Sequence, residues 1–425
     1  MQTRISPRFQ DDPIVAEANA ILRTCVHCGF CNATCPTYQI LGDELDGPRG
    51  RIYLIKEFLA GAPATEHSLQ HLDRCLTCRA CETTCPSGVR YARLAEIGRE
   101  HMEAEIGRPA LERLKRRALR AIVPYPERFR LLVQLCAVFK PLLPQALAEK
   151  VPALPQALPT TARPMVPATR RVITLAGCVQ SVMTPATAAA LEQILATLGI
   201  AVDVPASAGC CGALSLHLNA HSEAHDYMRR NIDAWWPLID AGSEAILVSA
   251  SGCGSMVKEY GEALKHDPDY AEKAARISAL TRDPSEWLIG FMDEIPFVPE
   301  YRGTVAFHAP CTLQHAQRVQ GIVEQLLQRA GYRLTAVHDP HICCGSAGPY
   351  AILQPELSRQ LRGQKLDALQ AAQPDCIATA NIGCQMHLQG GTDVPVKHWL
   401  ELVLTALDCS VHAPDFVLSH SDLTL

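Results

Sequence analysis

The chain has 425 residues, enough for two or three domains, and its 48% hydrophobic content fits a globular protein with a sizeable core. No apolar run reaches the ~18–20 residues that cross a bilayer, and the opening stretch "MQTRISPRFQDDPIVAEANA" lacks the apolar core of a signal peptide. The formal charge of -5 is unevenly spread: residues 1–170 carry 23 Lys and Arg against 17 Asp and Glu, and residues 171–425 carry 16 against 27.

Residues 1–24 predict a short lead-in helix. Two blocks follow, "CVHCGFCNATCP" from Cys25 to Pro36 and "CLTCRACETTCP" from Cys75 to Pro86. Both read C-x2-C-x2-C-x3-C-P, and they lie 50 residues apart. In a reducing compartment, clustered Cys within a total of nineteen signals metal rather than disulfides. Three thiolates at this spacing wrap one corner of a cubane iron–sulfur cluster. In two-cluster ferredoxin modules the fourth Cys of each run serves the other cluster. The expected ligands are Cys25, Cys28, Cys31 and Cys85 for one [4Fe-4S] cluster, and Cys75, Cys78, Cys81 and Cys35 for the second. Pro36 and Pro86 turn the chain away after each crossing ligand. Zinc also takes four thiolates, but its sites come as separated CxxC knuckles rather than this continuous run. Cluster charge offsets the basic surplus of residues 1–170, so no nucleic-acid partner is expected. Between the blocks, "RIYLIKEFLA" predicts an amphipathic helix. Arg49 and Arg51 beside it either hydrogen-bond near a cluster and raise its potential or form surface ion pairs.

The basic stretch "RLKRRALR" (113–120) reads as a solvated helix face, with contact to an acidic partner or to lipid headgroups as the alternative. The apolar run "LLVQLCAVF" (131–139) stops at Lys140 and Pro141, so membrane contact is expected only at the periphery. The Pro-rich passage 141–167 reads as an interdomain linker. The expected division is a two-cluster domain over 1–105, a basic then Pro-rich linker over 106–168, and two α/β units over 169–295 and 296–425.

The last two units are a duplication. "RVITLAGC", "IAVDVP" and "EAILVSAS" read as strands, and "TPATAAALEQILATLG" (184–199) reads as a helix, which together predict a mainly parallel α/β sheet. Cys178 is followed by 31 residues and then Cys210, Cys211 and Gly212; Cys311 is followed by 31 residues and then Cys343, Cys344 and Gly345. "ASGC" ends at Cys253 and "NIGC" at Cys384. Gly212 and Gly345 suit tight turns at positive φ. The eight cysteines are candidate ligands for one or two further clusters. A cavity for a quinone or other small acceptor, and a purely structural role, are the competing readings. His217, His308, His315, His341 and His387 lie near them in sequence and remain unassigned. Cys136, Cys376 and Cys409 fit no motif and read as ordinary buried thiols. No GxGxxG follows a strand and no GxxxxGK[ST] occurs, so neither FAD nor NAD is expected on this chain. It is equipped to carry electrons but not to take them from a substrate, and it needs a partner that does.

A twin C-x2-C-x2-C-x3-C-P module followed by paired Cys-Cys-Gly (CCG) domains resembles the iron–sulfur subunits of glycolate oxidase, anaerobic glycerol-3-phosphate dehydrogenase and lactate-utilisation complexes, and heterodisulfide reductase subunits. "CVHCGFCNATCPTYQILGDELDGPRGRIYLIKE", "HLDRCLTCRACETTCPSGVRY", "NIDAWWP", "ASGCGSMVKEYG", "CTLQHAQ", "CCGSAGPYAILQPELSRQLR" and "TANIGCQMHL" look most like the glycolate oxidase group. That resemblance implies a bacterial complex, peripheral at the inner membrane, in which two FAD-containing subunits oxidise glycolate to glyoxylate. This chain would relay the electrons toward a quinone or other acceptor. It would have no turnover of its own. Lactate or glycerol-3-phosphate as the donor, and a thiol/disulfide reductase, are the alternatives. The last is disfavoured because Ala250 and Asn381 stand where heterodisulfide-type members have a further Cys. A DNA-repair role finds no helicase or nuclease motif.

Overall fold

Asp12 begins the first long helix: its carboxylate accepts the N–H groups of Ile14 and Val15, Pro13 fills the first position, and the helix runs Pro13–Thr24. The computed structural model describes residues 1–140 and 170–408; the Pro-rich stretch 141–167 and Cys409 lie outside the described residues. Pro48 opens the helix Pro48–Leu59, and a Thr65–Ser68 capping box opens Glu66–Asp73. With Tyr91–Ile106, these helices bury Leu22, Ile55, Leu59, Leu72, Leu94 and Ile97 in one core. Gly98 permits the close crossing, since a Cβ there would fall 2.6 Å from Ile55. Cys25 and Cys81 belong to this core, and Cys31, Cys75 and Cys85 pack against it.

Two further helices follow, Ala110–Ile122 and Pro126–Phe139. The basic stretch is mostly solvated, as its sequence suggests, with one correction. Arg116 is buried and reaches Glu112 at 3.2 Å and Asp73 at 3.5 Å.

The second part consists of two four-stranded sheets, every strand pair parallel. The first holds β1 (Arg170–Thr174), β2 (Ile200–Asp203), β3 (Ile246–Leu247) and β4 (Thr281–Arg282), in the order β2-β1-β3-β4. The second holds β5 (Thr304–His308), β6 (Arg333–Leu334), β7 (Cys376–Thr379) and β8 (Val396–His398), in the order β6-β5-β7-β8. The chain is thus a helical N-terminal module followed by two α/β repeats of the same topology. β3 is shorter than the run "EAILVSAS" because the chain enters a helix at Ser251.

The repeats share one core. Val172, Leu195 and Leu247 of the first meet Val305, Leu326 and Trp399 of the second. The helix Pro185–Thr197 lies against Trp399–Leu404, with the Thr187 hydroxyl donating to Glu401 Oε1 at 2.7 Å. The N-terminal module straddles both repeats. Arg90 pairs with Glu262 at 2.9 Å, Arg120 with Glu223 at 3.0 Å, Arg79 with Glu259, and Thr83 hydrogen-bonds His315 at 3.0 Å. The basic surplus of the first part and the acidic surplus of the second meet along this seam. Among the described residues, no helix is long and apolar enough to cross a membrane.

Leu195 is fully buried in the shared core, so Leu195→Ala is expected to cost about 2–5 kcal/mol. The solvated Leu114 is 64% exposed, and Leu114→Ala should change stability by no more than ~0.5 kcal/mol. Denaturant midpoints of the two variants test the shared core; equal midpoints would contradict it.

Candidate metal centres

Both Cys blocks fold alike. After each first Cys the chain passes through left-handed turns, at His27 (φ 56°) and Gly29 (φ 85°) in one block and at Thr77 (φ 55°) and Arg79 (φ 62°) in the other. Successive N–H groups at such turns point into a concavity that favours anionic sulfur. For the β-branched Thr77 the conformation costs about 1–3 kcal/mol, so surrounding packing must impose it. The Thr77 N–H donates to Cys75 Sγ at 3.4 Å, and the Val89 N–H to Cys85 Sγ at 3.5 Å.

Two recesses result. The first is lined by Cys25, Cys28, Cys31 and Cys85. The second is lined by Cys35, Cys75, Cys78 and Cys81. Cys85 comes from the second block into the first recess, and Cys35 makes the reverse crossing. Pro48, Cys81 and Tyr91 border both, so a single layer of side chains separates them. Cys28 is exposed beside the exposed Val26 and Phe30, whereas Cys35 and Cys81 are buried. Each recess therefore offers four soft thiolate donors, a set that suits iron–sulfur or zinc and not a hard cation. Four thiols of which one crosses from the other Cys block, in two recesses that share a wall, match the ligand arrangement of a two-cluster cubane module and not that of separate zinc knuckles. Burial, helped by the neighbouring Cys25 thiolate, pushes the Cys31 thiol up to about 11. Burial and Cys78 likewise push Cys81 well above the ordinary thiol range. Bound iron removes that penalty, because a coordinating thiol is held deprotonated by the metal charge.

Arg51 is not a surface ion pair. It is 1% exposed, its Nε donates to His71 O at 2.7 Å and its Nη2 to Thr37 Oγ1 at 3.1 Å. Nη1 reaches Cys35 Sγ at 4.0 Å. Its counter-charge is Asp46, which also holds His71 Nδ1 at 2.9 Å and Arg74 Nη1 at 2.8 Å. Arg49 is half-exposed and pairs with Glu44 at 2.6 Å, the surface ion pair that is one of its two expected roles, at the border of the first recess.

In each repeat the four cysteines converge. Cys178, Cys210, Cys211 and Cys253 are linked by successive thiol contacts, as are Cys311, Cys343, Cys344 and Cys384. Cys311 Sγ and Cys343 Sγ lie 3.8 Å apart. The hydrogen bond that the Cys211 thiol donates to Cys210, with its contact to Cys253 and burial, raises Cys211 well above its ordinary range. Gly212 (φ 90°) and Gly345 (φ 89°) make the tight turns that their place in the sequence suggests. A Cβ would stand 3.0 Å from Ala224 O at Gly212, and only 2.6 Å from Ser358 O at Gly345. In the first repeat, Asn231 Nδ2 donates to Cys210 O at 2.9 Å, and the Tyr260 hydroxyl donates to Cys211 O at 2.9 Å. In the second, Asn381 Nδ2 donates to Cys384 Sγ at 3.4 Å, and its Oδ1 accepts the Gly252 N–H across the repeat interface at 3.2 Å.

The second recess and the second repeat adjoin. Cys78 packs in one cluster with Cys311, Cys343, Leu76 and Leu361. Nothing in the linear pattern announces this. His308, left unassigned by the sequence, lies buried with Cys344 and Cys384. Of the other histidines, His217 and His387 are held at about 4 by burial. His315 spans Thr83 and the His341 carbonyl. Cys136 and Cys376 are only partly buried, not buried as expected, and none of the described cysteines forms a disulfide.

The comparisons with known proteins follow the same division. Residues 21–89 match the model of a 4Fe-4S dicluster domain, and residues 172–258 and 305–389 match that of a cysteine-rich domain. Fold and site together define an iron–sulfur electron-transfer subunit. The chain is 52% identical to the glycolate oxidase iron–sulfur subunit of Escherichia coli over 96% of this chain and 100% of that one. It is 30% identical to the probable glycolate oxidase iron–sulfur subunit of Bacillus subtilis, over 91% of this chain and 94% of that one. The crystal structure of a hypothetical protein from Helicobacter pylori shares the fold, with a TM-score of 0.56 at 8% identity over 94% of this chain and 73% of that one. The chain belongs to the family of glycolate oxidase iron–sulfur subunits.

Gly345→Ala and Gly212→Ala are each expected to destabilise by about 1–3 kcal/mol, Gly345→Ala the more because of its closer backbone contact. Thermal melts of the two variants check the order, and a neutral Gly345→Ala would contradict it.

Proposed function

We propose that this chain carries electrons from FAD-containing partner subunits, which oxidise glycolate to glyoxylate, toward a quinone-type acceptor. The supporting observation is the continuous row of cysteines: the exposed Cys28, the shared wall at Cys81, and Cys78 against Cys311. In this reading Cys25, Cys28, Cys31 and Cys85 hold one [4Fe-4S] cluster, and Cys75, Cys78, Cys81 and Cys35 hold the other. Such clusters, when bound, take up and release electrons singly, which suits a donor that holds two. The chain's own residues do the rest. Val26 and Phe30 form an apolar rim, 66% and 61% exposed, where a flavin subunit would dock beside Cys28. Arg51 brings a buried positive charge to Cys35 and so favours an added electron there. Ala250 and Asn381, in place of further cysteines, argue against a disulfide-reducing centre.

In the reconstituted complex, Cys28→Ala and Cys78→Ala should each abolish glycolate-driven dye reduction through this subunit and lose about four iron atoms per chain. Full dye reduction in both variants would overturn the assignment.

Membrane contact is proposed at the two helices after the cluster module. Leu111, Leu114, Leu131, Leu135, Val138 and Phe139 are exposed there, among the solvated Arg113, Lys115, Arg117, Arg128, Arg130 and Lys140. Exposed apolar residues interleaved with cations suit an anionic lipid surface, with ~1 kcal/mol per basic residue near it. The double change Leu131→Glu with Leu135→Glu should abolish cosedimentation with phosphatidylserine vesicles without lowering the melting temperature. Undiminished binding would refute this surface.

A further inference from the structure

We propose that the second repeat, unlike the first, builds a metal centre in which the imidazole of His308 is a ligand beside the thiolates of Cys344 and Cys384. A ring nitrogen of His308 and the Sγ atoms of Cys344 and Cys384 all lie within 4.8 Å of one another, and all three residues are buried. The two ring nitrogens are not equivalent. Nδ1 is 3.0 Å from the Thr379 hydroxyl, its partner in the β5–β7 register, while Nε2 is buried and has no hydrogen-bond partner. A ring fixed through one nitrogen and bare at the other is the arrangement that metal-ligating histidines require.

The first repeat is an internal control. His308 precedes Cys311 by three residues, and Leu175 precedes Cys178 by three; Thr379 precedes Cys384 by five, and Val248 precedes Cys253 by five. Ligand and orienting hydroxyl are thus both replaced by apolar side chains, which are buried at 5% and 1% exposure. A histidine kept only to fill the core would need neither the hydroxyl nor the bare nitrogen. The second repeat is also the one whose Cys311 and Cys343 pack against Cys78. Thiolates with one imidazole take iron of a cluster or zinc. As iron the centre would extend the proposed electron path, and as zinc it would brace the contact with Cys78. Only that use rests on the relay reading; the site itself does not.

The test uses the full chain purified anaerobically with its partner subunits. Iron, sulfide and zinc per chain are measured for the natural sequence, for His308→Leu (which copies Leu175) and for Thr379→Val. Iron or zinc is expected beyond the eight iron atoms of two cubanes. His308→Leu should lose that extra metal to a chelator about tenfold faster or more, and Thr379→Val should lose it by an intermediate factor. Pulsed paramagnetic resonance should show nitrogen coupled to a reduced iron centre. If the metal is zinc, absorption at the zinc edge should instead show a nitrogen neighbour at about 2.0–2.1 Å. Both signals should vanish in His308→Leu while its circular dichroism stays native. No extra metal in the natural chain would overturn the proposal, as would Thr379→Val and His308→Leu proteins that keep the metal and its spectrum unchanged. Failure of the relay reading would appear separately, as full dye reduction in both Cys28→Ala and Cys78→Ala, while the extra metal of the natural chain and its loss in His308→Leu stay as expected.

Discussion

The N-terminal module depends on the crossing of Cys35 and Cys85. Neither Cys block completes its own set of four thiols, so the two must face each other across a wall thin enough for Cys81 and Tyr91 to border both recesses. That requirement dictates the helices. Pro13–Thr24, Pro48–Leu59 and Tyr91–Ile106 close a core in which Cys25 and Cys81 count among the buried members. Thiols so placed cannot ionise cheaply on their own, as the raised values of Cys31 and Cys81 indicate. Core and metal would therefore be coupled in the proposed ligation, because iron at these thiols would relieve a cost that burial imposes.

A buried guanidinium follows from the same constraint. An unpaired charge at Arg51 would be strongly destabilising. It is tolerated because Asp46, itself held by His71 and Arg74, lies on one side and thiol sulfur on the other. A thiolate-bound cluster there would be a second counter-charge. The network is thus part of the electrostatics of the second recess rather than an ion pair near it. Arg49, on the solvent side of the first recess, has no comparable enclosure.

Much of this was legible from spacing. Cys separations mark the two blocks, the identical 31-residue gaps mark the duplication, and Gly212 and Gly345 announce their turns because only glycine fits the backbone there. Spacing carries such information because ligands and turns are local. What it missed is tertiary. For Arg49 and Arg51 the sequence left a place beside a cluster and a surface ion pair equally open, since nothing in "GPRGRIY" shows which side chain turns inward. His308 looked like one histidine among five, and its distinction lies in Thr379 across the sheet and Cys384 beyond it. The nearness of Cys78 to Cys311 joins residues 233 positions apart in the chain, and no periodic pattern encodes it.

The duplication also shows how one frame takes on two tasks. Both repeats keep the parallel sheet, the Cys-Cys-Gly turn and four converging thiols, so the scaffold tolerates change around them. The first repeat receives the helix Pro126–Phe139, whose Phe129 and Val133 pack on Val182, Met183 and Ala250. The second receives the wall of the second recess. Asn381 ties the two together by binding Gly252 on one side and Cys384 on the other. A cysteine in that place has a much weaker hydrogen-bonding capacity than an amide that both donates and accepts, and the seam between the repeats would lose a polar link. The amide at Asn381 thus keeps a polar link between two repeats whose outer neighbours differ, the helix Pro126–Phe139 on one side and the second recess on the other.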